Sequence, residues 1–460
     1  MIIIVLTAFL CILGSALASV EEAEALLKWK ASFQNPDNPL PSSWNLPPNA
    51  ANSSHSRKEI ASPCVWYGVS CIHGSVNRLN LTNSSINGTL YNFPFSSLPN
   101  LEYVDLTLND LSGTIPPQIG NLSKLLYLDL QRNLFSNTIP REIGRLKNLQ
   151  TLHLNANELN GSIPEEIGQL RSLSDLALAT SNLDGPIPAS LGNLKNLTYL
   201  YFYDNLLSGP IPPELGHLYN LVDLYMYGNQ LSGPIPPSFG NLNKLEVMHL
   251  YSNKLTGLIP PEIGNLTSLH SLSLFNNSIS GSIPPSLGNL ASLTLLHLYG
   301  NQLSGSIPKE LGNLKLLEDL EFADNLLSAS VPATLGNLSN LQYLYLRMNH
   351  LSGPIPQELG NLTKLLHLIM GENHFSGHLP DQLCQSGVLR NFTVNDNMLT
   401  GPIPRGLKNC SSLRRAAFGG NQLGGNLSGI LIMFGFYPHL DHLDLSNNFF
   451  YGDLSMFSVI

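Results

Sequence analysis

Tyr203, Tyr227, Tyr251, Phe275 and Tyr299 stand 24 residues apart, one aromatic ring at each step. A column two residues earlier reads Tyr201, Tyr225, His249, Ser273, His297, Glu321 and Tyr345, with Tyr199 and Tyr343 at its edge. Residues two apart on a strand share a face, so the two columns predict one band of stacked amphipathic rings. Such rings bring large contact area and a polar tip at low entropic cost, as interface anchors do. Stacked aromatics also stabilise a strand by at most about 1 kcal/mol per pair. Other steps place Asp129, Asn155, Ala179, Ala323 and Gly371 at comparable positions, so strand formation does not require the band. The band therefore reads as a ligand track.

Charge surrounds it. Asp204 and Asp223 flank one edge, Asp319, Glu321 and Asp324 follow, and Arg347, Glu372 and Asp396 come after them. A ligand meeting aromatic surface in the middle and carboxylates around it is neutral or basic rather than acidic. His249 and His297 admit two readings, as sensors of acidic surroundings or as plain hydrogen-bonding surface groups. The candidate ligand-binding set is Tyr199, Tyr201, Tyr203, Tyr225, Tyr227, His249, Tyr251, Phe275, His297, Tyr299, Glu321, Tyr345 and Arg347. Catalysis has no counterpart: there is no His-Glu-x-x-His, no nucleophile elbow and no convergent acid–base pair. No cofactor or metal is expected. A formal charge of −9, from 23 basic and 32 acidic residues, leaves no basic footprint for nucleic acid.

The elements that must position these residues follow from the same period. Asparagine recurs at 24-residue steps from Asn109 through Asn133 and Asn157 to Asn421, broken only where Ser181 stands in. Each ends a phrase such as Leu128-x-Leu130-x-x-Asn133 and is usually followed by Leu-x-Gly-x-Ile-Pro, as in Leu159, Gly161, Ile163 and Pro164. Leu152 and Leu154 point inward from one strand while Thr151, His153 and Asn155 face outward. The asparagine amide satisfies turn backbone that is otherwise buried and unpaired. Gly161 permits the sharp chain path, Pro164 opens a return arm, and Ile167 and Leu170 close the core from behind. Such a unit cannot bury its apolar face alone and must stack on its neighbours. The predicted fold is an α/β solenoid with about 16 parallel strands on a concave face, from Leu79-x-Leu81 to Leu443-x-Leu445, after a last step of 27 residues. At about 4.8 Å per strand it runs roughly 70 Å.

The ends set the compartment. Residues 1–18 read as a secretory signal, with an apolar run from Ile2 to Leu13 and the small-residue close Ala16-Leu17-Ala18. Residues 19–75 read as an N-terminal cap, in which Glu21 to Phe33 forms an amphipathic helix presenting Leu26, Leu27, Trp29 and Phe33 to the first repeat. Asn35 to Pro63 is an irregular loop, and residues 76–460 are the solenoid, stopping without a cap. That end reads as a truncated or spliced product, because terminal repeats need capping. Four cysteines outside the signal predict two disulfides: Cys64 with Cys71 in the cap, and Cys384 with Cys410 between neighbouring return arms. Asn-x-Ser/Thr sequons fall at Asn52, Asn80, Asn83, Asn87, Asn121, Asn160, Asn196, Asn265, Asn276, Asn337, Asn361, Asn391, Asn409 and Asn426. Asn121, Asn265, Asn337, Asn361 and Asn409 share one convex position, where sugar leaves the strand face clear. Glycans on Asn276 or Asn391 would obstruct it.

The phrase Cys64-Val65-Trp66-Tyr67-Gly68-Val69-Ser70-Cys71, after Leu26-Leu27-x-Trp29 and Ser43-Trp44-Asn45, resembles the N-terminal cap of plant leucine-rich-repeat receptor-like kinases. The 24-residue Leu-x-Gly-x-Ile-Pro repeat is similar to the plant-type leucine-rich repeat. Within that family, the Ile-Gly-Asn-Leu phrases and the Cys384/Cys410 pair resemble the male-discoverer-interacting receptor-like kinase group. The resemblance implies an extracellular recognition module, secreted or on the outer face of the plasma membrane, that binds a secreted peptide and recruits a co-receptor kinase. Family members often hold a peptide's free carboxylate with an Arg-x-Arg pair. Here Arg347 stands without such a partner, and Arg414-Arg415 lie too far along. No glycine-rich phosphate loop, His-Arg-Asp or Asp-Phe-Gly is present, so this chain carries no kinase, and no stretch is long enough to insert in a membrane. Two alternatives share the repeat: a secreted inhibitor of microbial cell-wall-degrading enzymes and a soluble decoy receptor.

Overall fold

The computed structural model describes residues 20–35, 40, 43–45, 62–384, 386–434 and 438–452. The predicted signal, Asn52 and most of the Pro-rich loop lie outside them. Two compact units make up the chain, one to Gln230 and one from Leu231.

In the N-terminal unit, seven strands pair in parallel: Ser75–Asn80, Tyr103–Asp105, Tyr127–Asp129, Thr151–His153, Asp175–Ala177, Tyr199–Tyr201 and Asp223–Tyr225. Val69–Ile72 adds an antiparallel cap strand beside the first. The helix spans residues 20–30. It buries Ala23, Leu26 and Trp29 completely, and the Trp29 indole donates to the Thr89 carbonyl at 2.9 Å. Leu27, expected against the repeat, is only half-buried. The helix's i, i+3 face passes through Ala23, Leu26 and Trp29 and leaves Leu27 to one side. Glu22 is buried as well, accepting from the Ser75 hydroxyl at 2.5 Å and the Val76 amide at 3.0 Å.

In the C-terminal unit, nine parallel strands run from Val247–His249 through Ser271–Ser273, Leu295–His297, Asp319–Glu321, Tyr343–Tyr345, His367–Ile369, Asn391–Thr393 and Arg415–Ala417 to His442–Asp444. Together the two units supply the 16 strands that the leucine phrases predict. An α-helix, Leu427–Phe434, occupies the lengthened last step. Among the described residues no helix is long and apolar enough to cross a membrane.

Each repeat is built as its residues dictate. Leu152 and Leu154 are fully buried, and so are Ile167 and Leu170 from the far side. The return arm is a 3₁₀ turn, Glu165–Gln169, entered through Pro164 at φ −64°. The ring has already set that angle. Gly161 takes φ +70°, a left-handed conformation that costs a side-chain-bearing residue about 1 kcal/mol or more. The Leu-x-Gly phrase forms a second parallel sheet in each unit, which the period alone does not reveal. In the N-terminal unit it pairs Asp110–Gly113, Leu134–Asn137, Glu158–Ser162, Asn182–Gly185 and Leu206–Pro210. Strands this short, with glycine inside, carry no clean alternation to read.

Cys64–Cys71 and Cys384–Cys410 are both bonded, with Cα separations of 5.4 and 5.3 Å. Asn133 shows the ladder at work. Its Oδ1 accepts from the Leu111 amide at 3.0 Å, and its Nδ2 donates to the carbonyls of Leu106 and Leu130 at 2.9 and 3.1 Å. At the exception, the Ser181 hydroxyl is too short for those bonds and lies buried without a partner. Ser181→Asn is therefore expected to restore the ladder and stabilise the N-terminal unit by about 1 kcal/mol. An unchanged or lower melting temperature of the full chain would contradict this.

Candidate functional site

On alternate strands, the third residue reaches across the open face to the first residue of the next strand. That diagonal, 22 residues apart in sequence, organises the polar groups. His153 meets Asp175 at 3.0 Å and the Tyr201 hydroxyl donates to Asp223 at 3.1 Å. His249 meets Ser271 at 2.8 Å, His297 meets Asp319 at 3.1 Å and the Tyr345 hydroxyl meets His367 at 2.7 Å. The contacts recur every second repeat, a 48-residue alternation laid over the 24-residue one.

In the N-terminal unit, five predicted aromatics come together. Tyr203 and Tyr227 stack with centroids 4.8 Å apart and planes at 11°. Tyr199 lies 6.2 Å from Tyr201, which packs 5.3 Å from Tyr225. Tyr225 lies edge-on to Tyr227 at 6.3 Å. Burial, and then the charge of Asp223, drives the Tyr201 phenol well above its ordinary range, so it stays a hydrogen-bond donor.

In the C-terminal unit, Tyr251, Phe275 and Tyr299 form an unbroken stack, with successive centroids 4.2 and 4.3 Å apart and planes within 10°. His249 and His297 border it, 5.9 Å from Tyr251 and 6.1 Å from Tyr299. Burial, helped by the charge of His297, pushes the His249 imidazole down to about 4. It therefore stays neutral through mildly acidic pH and acts as a hydrogen-bonding group, not a sensor. Burial also raises the Glu321 carboxyl, His297 opposing and Asp319 reinforcing the effect, and burial ahead of the Glu321 charge pushes the Tyr345 phenol up to about 12.

Beyond Tyr345 the face opens into a recess of 420 Å³ lined by Tyr345, Arg347, Glu372, Asn391, Arg415, His442 and Asp444, among others. One sequence expectation changes here. Arg415 had been set too far along to work with Arg347, yet both side chains line this recess, because successive strands bring residues 68 positions apart onto one wall. Arg347 also has a carboxylate neighbour, Glu372 at 3.5 Å. Asn391 lies on the same wall, so a glycan there would fill it. The sequons at Asn121, Asn265, Asn337, Asn361 and Asn409 are exposed at the ends of 3₁₀ turns, on the side away from the strands.

A further cluster in the N-terminal unit escaped the sequence reading. The Arg78 guanidinium sits 3.6 Å over the Tyr103 ring. Tyr103 stacks on Tyr127 at 4.3 Å, and the Tyr127 hydroxyl donates to Asp129 at 3.1 Å. Asp129 in turn meets His153 at 3.1 Å, and His153 reaches Asp175. Although burial works against its charge, the two aspartates carry the His153 imidazole up to about 9. The recurrence of Asp105, Asp129 and His153 at 24-residue steps was the available signal.

Matches to known proteins agree with this geometry. A family model described as "Leucine-rich repeat region" matches residues 75–256 and 189–331, and "Leucine rich repeat N-terminal domain" matches residues 20–72. The chain is 52% identical over 108 residues to MDIS1-interacting receptor like kinase 2 of Arabidopsis thaliana, a stretch covering 23% of this chain and only 9% of that protein. Among solved structures it is similar to PEPR1 bound to AtPEP1, at 35% identity and a TM-score of 0.81, covering 93% of this chain and 62% of that one. It is also similar to the Arabidopsis receptor kinase HAESA in complex with the peptide hormone IDA and the co-receptor SERK1. There the identity is 34% and the TM-score 0.77, over 94% of this chain and 70% of that one.

Proposed function

The chain belongs to the leucine-rich-repeat family, and from that premise we propose that its strand face binds a secreted peptide as the recognition part of a plant receptor-like kinase. The observation that carries this reading is the Tyr251–Phe275–Tyr299 stack. Its three rings are half-buried on the open face while the leucines beneath them, Leu250, Leu274 and Leu298, fill the core. Rings that the core does not need are available to a partner.

An extended peptide lies against the rings, with Asp319, Glu321 and Asp324 favouring neutral or basic side chains over this stretch. A rigid, repeat-built receptor orders little on binding, so its preformed face keeps the entropic cost on the peptide's side. The peptide and the receptor rim together then present a composite surface to a co-receptor kinase. HAESA, with IDA and SERK1 in one complex, supports that arrangement by likeness. The relatives are plant receptor kinases, which supports an extracellular setting for this recognition part.

The test is capture of apoplastic peptides by the full chain, secreted from plant cells, followed by titration of the recovered peptide. Tyr251→Ala and Tyr299→Ala are each expected to weaken it by about tenfold or more, as truncated aromatic anchors do. Affinity unchanged in both variants would sink the track. Recovery of a microbial cell-wall hydrolase, with loss of its activity, would replace the receptor reading by the inhibitor.

A further inference from the structure

We propose that His297, Asp319 and Glu321 form a binding site for one divalent cation of the zinc class on the strand face of the C-terminal unit. Strand pairing puts them together. Leu295–His297 and Asp319–Glu321 are adjacent parallel strands, with His297 opposite Glu321 and Leu295 opposite Asp319. Asp319 and Glu321 then share the face of His297, being two residues apart on one strand. One ligand-capable atom from each residue lies within 4.8 Å of the others, and all three residues are half-buried.

The local hydrogen bonding is incomplete in a way that a cation would complete. His297 Nε2 approaches Asp319 Oδ2 at 3.1 Å, but the contact is not aligned as a hydrogen bond. Nε2 and Asp319 Oδ1 are both closed off from solvent without a hydrogen-bond partner. So is the hydroxyl of Ser273, which stands opposite His297 on the preceding strand. Buried polar atoms are seldom left this way.

The His153 cluster has the same two orphan atoms, His153 Nε2 and Asp175 Oδ1, but its charges are arranged differently. There the carboxylates come from strands on both sides, Asp129 before and Asp175 after, and the imidazolium between them is the cation. At His297 the place of Asp129 is taken by neutral Ser273, and both carboxylates come from the strand that follows. Two carboxylates then crowd one side of a single ring. A cation among the three removes that repulsion.

The donor set selects the class. One imidazole nitrogen with two carboxylate oxygens suits zinc, whereas calcium and magnesium prefer oxygen alone. Zinc–ligand bonds of about 2.1 Å place tetrahedral donors about 3.4 Å apart, so donors already within 4.8 Å of one another need to draw together by at most about 1.4 Å. Three protein ligands leave a fourth position, as open zinc sites do. His297 lies 6.1 Å from Tyr299 on the open face, so a donor atom of a bound partner can complete the shell. The site itself does not depend on the peptide reading.

The experiment titrates the metal-stripped full chain with zinc chloride by calorimetry at neutral pH, with calcium and magnesium chloride in parallel. One zinc per chain is expected, weakened by about tenfold or more in Glu321→Gln, Asp319→Asn and His297→Gln. Cobalt substitution supplies a second readout: the visible bands of a low-coordinate cobalt ion should appear in the parent chain and vanish in Glu321→Gln. Melting curves confirm that each variant is folded, the isosteric carboxamides being the mildest changes. His350 and His374, whose stacked rings have centroids 5.7 Å apart, serve as a control histidine pair, and the His350→Gln/His374→Gln double variant should bind as the parent does. Absence of zinc binding, binding lost only in that double variant, or preference for calcium would each overturn the proposal.

Discussion

Replacing Asn301 with alanine is expected to cost the C-terminal unit about 3 kcal/mol or more, although the side chain is small and touches no ligand. Its amide Oδ1 accepts from the Ile279 amide at 3.0 Å, and its Nδ2 donates to the carbonyls of Leu274, Leu298 and Tyr299 at 3.0, 3.1 and 3.3 Å. The residue is only 9% exposed, so water cannot take over these bonds. Each buried backbone group stranded in this way costs about 1–3 kcal/mol. Because Asn301 ties two successive repeats, the damage spreads to the Tyr299 strand end and reduces cooperativity along the stack. Chemical denaturation of the full chain, with amide exchange at Ile279 as local probe, measures it. A loss below about 1 kcal/mol, or an Ile279 amide still protected, would contradict the ladder argument.

The second large effect belongs to Asp129. Its carboxylate, 2% exposed, accepts from the Tyr127 hydroxyl and the Gln131 amide and meets the His153 ring. Asp129→Ala leaves those donors unmatched and is expected to cost about 3–5 kcal/mol, as breaking a buried pair does. The pH dependence separates this from simple loss of packing. His153 binds its proton more tightly folded, near 9, than unfolded, near the ordinary 6.5. Its contribution is therefore complete below about pH 6.5 and is lost as pH rises through 9. Asp129 acts in the opposite sense. Burial pushes its carboxyl up, but the His153 and Gln131 hydrogen bonds prevail and hold it below the usual range, so its contribution is lost as the solution becomes strongly acid. Melting temperatures of the parent chain and His153→Asn should differ most at mildly acid pH and converge toward pH 9 and above. Parallel pH curves would refute the charged triad.

The chain's periodic features were legible because the same backbone problem is solved at every turn. Leucines two apart enter the core, an asparagine satisfies the turn from Asn109 to Asn421 at all but Ser181, and a glycine usually takes φ near +70°, as at Gly161 and Gly185, with Asn137 and Ala329 as exceptions. Repetition multiplies each weak preference into a clear signal, so the strands, the asparagine ladder, the cap helix and both cysteine pairings could be derived from residue spacing. Leu27 and the second sheet were not so derived. One turns on which helical face a neighbour covers, the other on four-residue strands with no alternation of their own.

The open face obeys no such rule. Which side chains meet there depends on a 22-residue diagonal between strands, on rotamers and on the charges placed beside them. Tyr201 with Asp223 and His249 with Ser271 share that geometry but not their chemistry. Arg347 and Arg415 look remote along the chain, yet two intervening strands of about 4.8 Å spacing bring them to one recess. By itself the sequence determined the scaffold and its family, because a repeating backbone leaves one solution. Only the tertiary structure decided which aromatic, acidic and histidine side chains act together, because those contacts form between repeats and leave no period to read.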